Sequence, residues 1–546
     1  FCFITLCLIH SNEIAAQAIP AATRNQISAY LTDYVNKTVK TGRVKIKSVD
    51  VSGTKVVVNA GVNLSYIPFR DNDVEEIYTQ IKKLLPAKYK NFEIEVMTDT
   101  QEIKYLVPTN RSKKHLFENE VGKPLITNIS KPYTAEKGLK NRHLALWQSH
   151  GWYYEQKLNR WEWQRARVFQ TVEDLYTQSY VLPYLVPMLE NAGANVFLPR
   201  ERDYQKHEVI VDNNGGLGSS IYQERAGKEA WIDGKAKGFA HKKATYLDGE
   251  NPFKMGTYRR TETITSGEES SCEWIPDIPE NGQYGVYISY QSAANSTEDA
   301  HYAVHHSGGK TDFHINQKMG GGTWIFLGFF EFDKGMSDKC KVVLTNKSQH
   351  AGHILTADAV KIGGGMGNIA RLPHPNGIIS ENTKSSETPK KKDDKKEVKK
   401  LPPLDYKPEI SGYPRYTEGA RYWLQWAGIP DTIYNRNESQ NDYVDDYQSR
   451  GHWVNYISGG SSVAPKRNGL KIPVDMALAF HSDAGTTDND SIIGTLGICM
   501  TLSNNKRFEN GKSRWTSRYL TDWVMEEVIQ DIRRKYEPNW TRRYIW

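Results

Sequence analysis

Two histidines each close a short apolar run. His143 to Gln148 reads HLALWQ and is followed by Ser149, His150 and Gly151; Met476 to Phe480 reads MALAF and is followed by His481 and Ser482. Both runs suit buried strands, so each imidazole would stand at a strand end. Imidazole nitrogen is a zinc ligand, and a catalytic zinc typically takes three protein ligands and keeps a fourth position for water. A carboxylate is the missing third donor. Glu173, in the segment Thr171-Val172-Glu173-Asp174, opens the helical stretch that follows His150 and could reach that edge. Asp174 would point about 100° away around the helix, so one acid would face the site and the other solvent. Taken singly, a strand-end histidine is more often a hydrogen-bonded or surface group, and a lone helix glutamate is usually solvated.

The elements that must position these groups follow from periodicity. A helical pattern from about Trp161 to Glu190 stops at Asn191-Ala192-Gly193 and gives way to the strand-like run from Ala194 to Asp203, which together with the first run makes a β-α-β unit. Right-handed crossover makes its strands neighbours in a parallel sheet, with the site at the strand C-termini. If the strand before His481 joins that sheet, the two imidazoles meet, and everything between becomes an insertion into one α/β domain.

That insertion has its own character. From about 208 to 368 short Tyr, Val and Phe runs alternate with Gly-rich turns, predicting an antiparallel β-sandwich. The stretch 369–412 is rich in Lys, Asp, Glu, Pro and Ser and reads as a linker. Its core, Lys384 to Lys400, holds eight lysines and four acids. Residues 24–140 open with alternating helix and strand patterns and read as a small α+β module for docking or packing, without a compact catalytic set. The segments 141–207 and 413–546 are the two halves of the α/β domain. The histidines of the insertion, His301/His305/His306 and His350/His353, read as surface groups.

The chain has 546 residues, 71 Lys plus Arg and 64 Asp plus Glu, for a formal charge of +7. Such a length predicts several domains, and so weak a charge bias argues against a dedicated nucleic-acid binder. The first residues, FCFITLCLI, form an apolar run too short to span a bilayer, followed by Ala16-Gln17-Ala18. This predicts a signal peptide over residues 1–18, incomplete at its start, hence an exported protein of the periplasm or cell surface. No later stretch reaches the roughly 20 apolar residues of a membrane helix, so no transmembrane anchor is expected. Beyond the leader lie Cys272, Cys340 and Cys499; Cys272 with Cys340 is the plausible pair, and free buried thiols are the default. No zinc-finger cysteine spacing occurs, so a metal site must use His and carboxylates.

Resemblances add to this reading. LWQSHG at 146–151, the run TVEDLYTQSYVLPYLVPMLENAGANVFLPRERD at 171–203 and MALAFHSDAG at 476–485 resemble the zinc-dependent N-acetylmuramoyl-L-alanine amidases. The resemblance implies a Zn2+ cofactor held by His150, Glu173 and His481, and peptidoglycan or another cell-envelope glycan as partner. It departs from the family at Gln148-Ser149, where an Asp-Pro-Gly-His type turn is usual. The family's general-base Glu lies on a strand after the last helix, so here it is expected beyond Trp546; Glu526 and Glu527 are poor substitutes. Residues 300–332 and 356–367 resemble the golvesin C-terminal-like β-sandwich, often carried under the label xanthan lyase. The implied activity is amide hydrolysis in peptidoglycan. The alternative is a surface protein that binds carbohydrate or processes polysaccharide through exposed aromatics such as Trp274, Tyr302 or Trp324, with a vestigial catalytic domain. A zinc peptidase is a third reading.

Overall fold

The computed structural model describes residues 19–39, 41–108, 122–133, 135, 138–167, 170–373, 407–482, 489 and 491–545. The leader, the core of the linker and Asp483 to Gly485 of the second histidine motif lie outside the described residues. Two compact units emerge, one from residues 1–118 with 485–546, the other from 119–484.

In the first unit, helix Ala21–Thr38 and helix Asp71–Leu84 accompany a four-stranded sheet in the order Ile46–Ser52, Lys55–Ala60, Glu93–Thr98, Gln101–Glu102. Alternation explains it: in Lys55–Ala60 the residues Val56, Val58 and Ala60 point inward, while Lys55, Val57 and Asn59 are half-buried. On the second helix Val74, Ile77 and Ile81 recur at helical spacing and join the same core. Helix Trp515–Lys535 belongs here. Trp515 is buried in that core, and Arg518 donates to the carbonyls of Leu106 (2.8 Å), Ser65 (3.0 Å) and Ile67 (2.7 Å). The sequence division kept 413–546 together; residues 485–546 instead group with the N-terminal module.

The second unit is dominated by antiparallel sheets. A six-stranded sheet runs Ile221–Arg225, Ser271–Ile275, Lys341–Thr345, Ala300–His306, Gly309–Ile315, Ile126–Asn128. A four-stranded sheet runs Val209–Val211, Val360–Ile362, Gly282–Ile288, Ile325–Phe332. Trp274, Tyr284, Val286, Tyr302, Val304, Phe313, Val342 and Leu344 fill a common core with residues of both sheets. The sandwich expected over 208–368 is present, with an additional edge strand. Ile126–Asn128, assigned from sequence to the N-terminal module, pairs with Phe313 to Ile315. At the linker's ends, Ile369–Ala370 pairs with Tyr246–Leu247, and Arg371 exchanges backbone hydrogen bonds with Glu409. Those flanks are therefore part of the fold.

A three-stranded parallel sheet lies in the same unit, with His143–Gln148 between Met476–Phe480 and Asn195–Phe197. Met476 faces Leu144 and Phe480 faces Gln148 in register. Leu144, Leu146, Val196 and Leu198 pack against Val181, Leu182 and Val186 of the crossover helix. That helix begins at Glu173 rather than near Trp161, because Trp152–Glu155 and Arg160–Trp163 form an antiparallel hairpin, Trp152 opposite Trp163. Aromatic residues suit this pleated pairing. Between Val181 and Leu185 the helix widens to a π-type turn around Pro183, which has no N–H to donate. Helix Asp442–Ser458 was not read from the sequence: its inward side carries Asp442, Asp445, Asp446, Ser449 and Arg450, which are buried but polar.

Candidate metal centre

The strand His143–Gln148 is the middle strand of its sheet and delivers the chain to Ser149, whose φ of +28° lies on the left-handed side. Such a conformation in a serine costs about 1–3 kcal/mol. It is held by Ser149 N–H donating to the Phe480 carbonyl (2.9 Å) and by Arg450 donating to the Ser149 carbonyl. Gly151 follows because the chain from Thr417 to Gly419 crosses directly over it. A Cβ there would sit 2.6 Å from the Thr417 oxygen, so only glycine permits the approach.

These constraints aim His150 at the edge where His481 also stands. Their ring centroids are 5.0 Å apart, tilted by 61°. His481 Nδ1 lies 3.0 Å from Oε1 of Glu173, the first residue of its helix. Ligand atoms from His150, Glu173 and His481 all fall within 4.8 Å of one another, the single such set of three among the described residues. Donors on one tetrahedral zinc stand about 3.4 Å apart, a spacing that small side-chain rotations reach from here.

The protonation states suit a cation. Burial, reinforced by the charges of Arg450 and Arg165, pushes the His150 imidazole down to about 2, so the ring stays neutral with a lone pair to give. Burial works against ionisation of Glu173, yet its hydrogen bond with His481 and the neighbouring Arg165 guanidinium outweigh it and hold the carboxyl below the usual range. The donor set of two imidazoles and one carboxylate therefore fits Zn2+.

A bracing layer surrounds these groups. Arg200 is fully buried and donates to the carbonyls of Gln148 (2.9 Å), Glu418 (2.9 Å), Tyr416 (3.1 Å) and His150. It ties both sides of the site to one guanidinium. Arg165 donates to Glu173 Oε2 (3.2 Å) and to the Tyr443 hydroxyl (2.8 Å), and its Nη2 lies 2.8 Å from His150 Nε2. Arg450 Nη2 lies 3.2 Å from His150 Nδ1. Asp174 does not face solvent, as the 100° argument had allowed. It is fully buried, and burial raises its carboxyl to about 7.

Sequence reasoning missed Arg165, Arg200, Tyr443 and Arg450. Arg165 was placed inside a helix that begins later, and Arg450 sits on a helix whose buried face is mostly polar. Of the other histidine groups, His301 pairs with Asp312 (2.9 Å) and His350 stacks on His353 at 5.8 Å, and neither group gathers three donors. Glu526 is engaged by Arg542 (2.6 Å) and Glu527 is exposed. Trp274, Tyr302 and Trp324, the aromatics considered for sugar stacking, are buried in the sandwich at 0%, 0% and 6% exposure. Strand alternation turns Trp274 and Tyr302 inward, and Trp324 packs against Phe239, Phe253 and Trp426, so none presents a face to a ligand. Cys272 and Cys340 are buried free thiols.

Comparison with known proteins reaches the sandwich. Residues 232–364 match the golvesin C-terminal domain family. A 91-residue stretch is 30% identical to a xanthan lyase of Bacillus sp. (strain GL1), covering 17% of this chain and 10% of that protein. The chain thus spans about a tenth of this curated relative's length. Among solved structures, the chain is similar to a Paenibacillus xanthan lyase (23% identity, TM-score 0.22, 29% of this chain and 13% of the other). It is also similar to a family 35 carbohydrate-binding module from Clostridium thermocellum (13% identity, TM-score 0.18, 29% and 97%). The golvesin-like segment lies between Arg200, which braces the site, and the helix bearing Arg450. Among the described residues no helix is long and apolar enough to cross a membrane.

Proposed function

We propose that this chain is an exported glycan-directed protein whose golvesin-like sandwich engages cell-envelope carbohydrate, and that its parallel-sheet edge is a zinc centre hydrolysing the amide between the lactyl group of N-acetylmuramic acid and L-alanine in peptidoglycan. The first part draws support from the golvesin match and the likeness to a xanthan lyase. The second rests on one observation, the convergence of His150, Glu173 and His481.

Zinc held by these three side chains would supply a Lewis acid for the scissile carbonyl and a water acidified towards pH 7. The chain's own residues prepare that chemistry. Neutral His150 offers a lone pair at the working pH, and ionised Glu173 supplies the negative charge. Arg200 keeps the backbone around His150 from drifting. His481, with its side chain 38% exposed, is the ligand open to solvent, and the substrate amide would approach from its side.

Elemental analysis of the purified chain, alongside release of muropeptides from isolated peptidoglycan, tests the reading. About one zinc per chain, lost in His481→Ala together with amide cleavage, is the expected result. A metal-free protein that cleaves nothing yet is retained on cell walls or acidic polysaccharide would replace it with the binding reading, which the sandwich match favours.

A further inference from the structure

We infer that Arg165 competes with a divalent ion for the site: its guanidinium bridges His150 and Glu173, and it must withdraw when the ion binds. The inference deepens the metal reading of the same site and rests on it. Two distances carry it, 2.8 Å from Arg165 Nη2 to His150 Nε2 and 3.2 Å from Arg165 Nε to Glu173 Oε2. One positive group therefore occupies the imidazole face and the carboxylate that a metal would share.

The arrangement around His150 points to which arginine yields. A neutral imidazole has one lone pair and one N–H, yet guanidinium donors face both ring nitrogens. One of them meets an N–H and gains nothing from it. Arg450 is buried and anchored by the Ser149 carbonyl and by Asp446 (3.8 Å). Arg165 has a side chain 34% exposed, and Ala166 and Arg167 beside it are exposed. Arg165 is therefore free to swing outward, with the Tyr443 hydroxyl as a contact it can keep or release. A divalent ion that binds must displace the charge-assisted hydrogen bond from Arg165 to Glu173 and the Arg165 contact with His150 Nε2.

Metal affinity is the decisive readout. Zinc binding to the metal-stripped full chain, measured by competition with a chromogenic chelator, is compared for wild type, Arg165→Gln, Arg165→Lys and His481→Ala, with thermal unfolding of each as the fold check. Arg165→Gln should bind zinc about tenfold to hundredfold more tightly, and its stripped form should unfold at a lower temperature than stripped wild type. Arg165→Lys, which retains the charge, should stay nearer to wild type. Equal or weaker affinity in Arg165→Gln, with zinc binding still abolished by His481→Ala, overturns the role of Arg165 and leaves the metal site standing. If neither wild type nor Arg165→Gln binds zinc, both fall together.

Discussion

Nδ1 of His481 lies 3.0 Å from Oε1 of Glu173, across 308 residues of chain. The approach exists because Met476–Phe480 and His143–Gln148 are parallel neighbours, and the helix that starts at Glu173 crosses over from the second of these strands. The sandwich lies in the chain between Glu173 and His481, and the two strand ends are neighbours all the same.

Removing His481 tests the site with little structural cost. Its side chain is partly exposed, so His481→Ala should unfold within a few degrees of wild type while losing most of its zinc. Full zinc content in this variant, read by elemental analysis, would remove the metal assignment.

Arg200 should matter for stability before it matters for chemistry. Replacing it by Met strands four buried carbonyl contacts from Gln148, His150, Tyr416 and Glu418. The expected loss is about 3 kcal/mol or more in denaturant unfolding. A change below about 0.5 kcal/mol, within the range of ordinary surface substitutions, would mean that the guanidinium does not brace the site.

Trp274 separates core from binding surface. The indole is fully buried, stacks on Tyr302 at 6.2 Å and donates to the Asp358 carbonyl (2.9 Å). Trp274→Ala should cost about 3–5 kcal/mol. A stable variant with selectively lost glycan binding would instead make it a ligand contact.

Asp358 introduces a pH dependence. Its carboxyl is buried, accepts from the Phe239 N–H (3.0 Å), and burial raises it from 3.8 to about 8. Through that window the folded state holds a proton that the unfolded chain has released, so stability falls as pH rises from about 4 to about 8 and levels off above. Asp358→Asn should flatten this slope. Melting curves from pH 5 to 9 that keep the same slope in the variant would show that Asp358 is ionised in the fold.

Much of this protein is determined locally and is legible in its residues. Alternating valines specify the strands of the N-terminal sheet, helical spacing of Val74, Ile77 and Ile81 specifies the helix over it, and Tyr and Val runs between glycine turns specify the sandwich. The strand-end positions of His150 and His481 are likewise a matter of apolar runs that stop at a polar residue. Tertiary structure decided the rest. Trp152 to Trp163 became a hairpin because its aromatics found cross-strand partners, and its second strand takes up Trp161 to Trp163, where the helix pattern had been expected to begin. Helix Asp442–Ser458 escaped notice because, apart from Trp453 and Ile457, its buried side is polar, and Asp442 finds its partners on distant segments, Gln156 and Arg371. Hydrophobic periodicity cannot register burial that is offset by hydrogen bonds rather than by apolar contact. For the same reason the arginines around His150 carried no signal: a guanidinium's role is set by the carbonyls and carboxylates that the fold brings to it, and the Ser149 carbonyl that Arg450 binds lies 301 residues away.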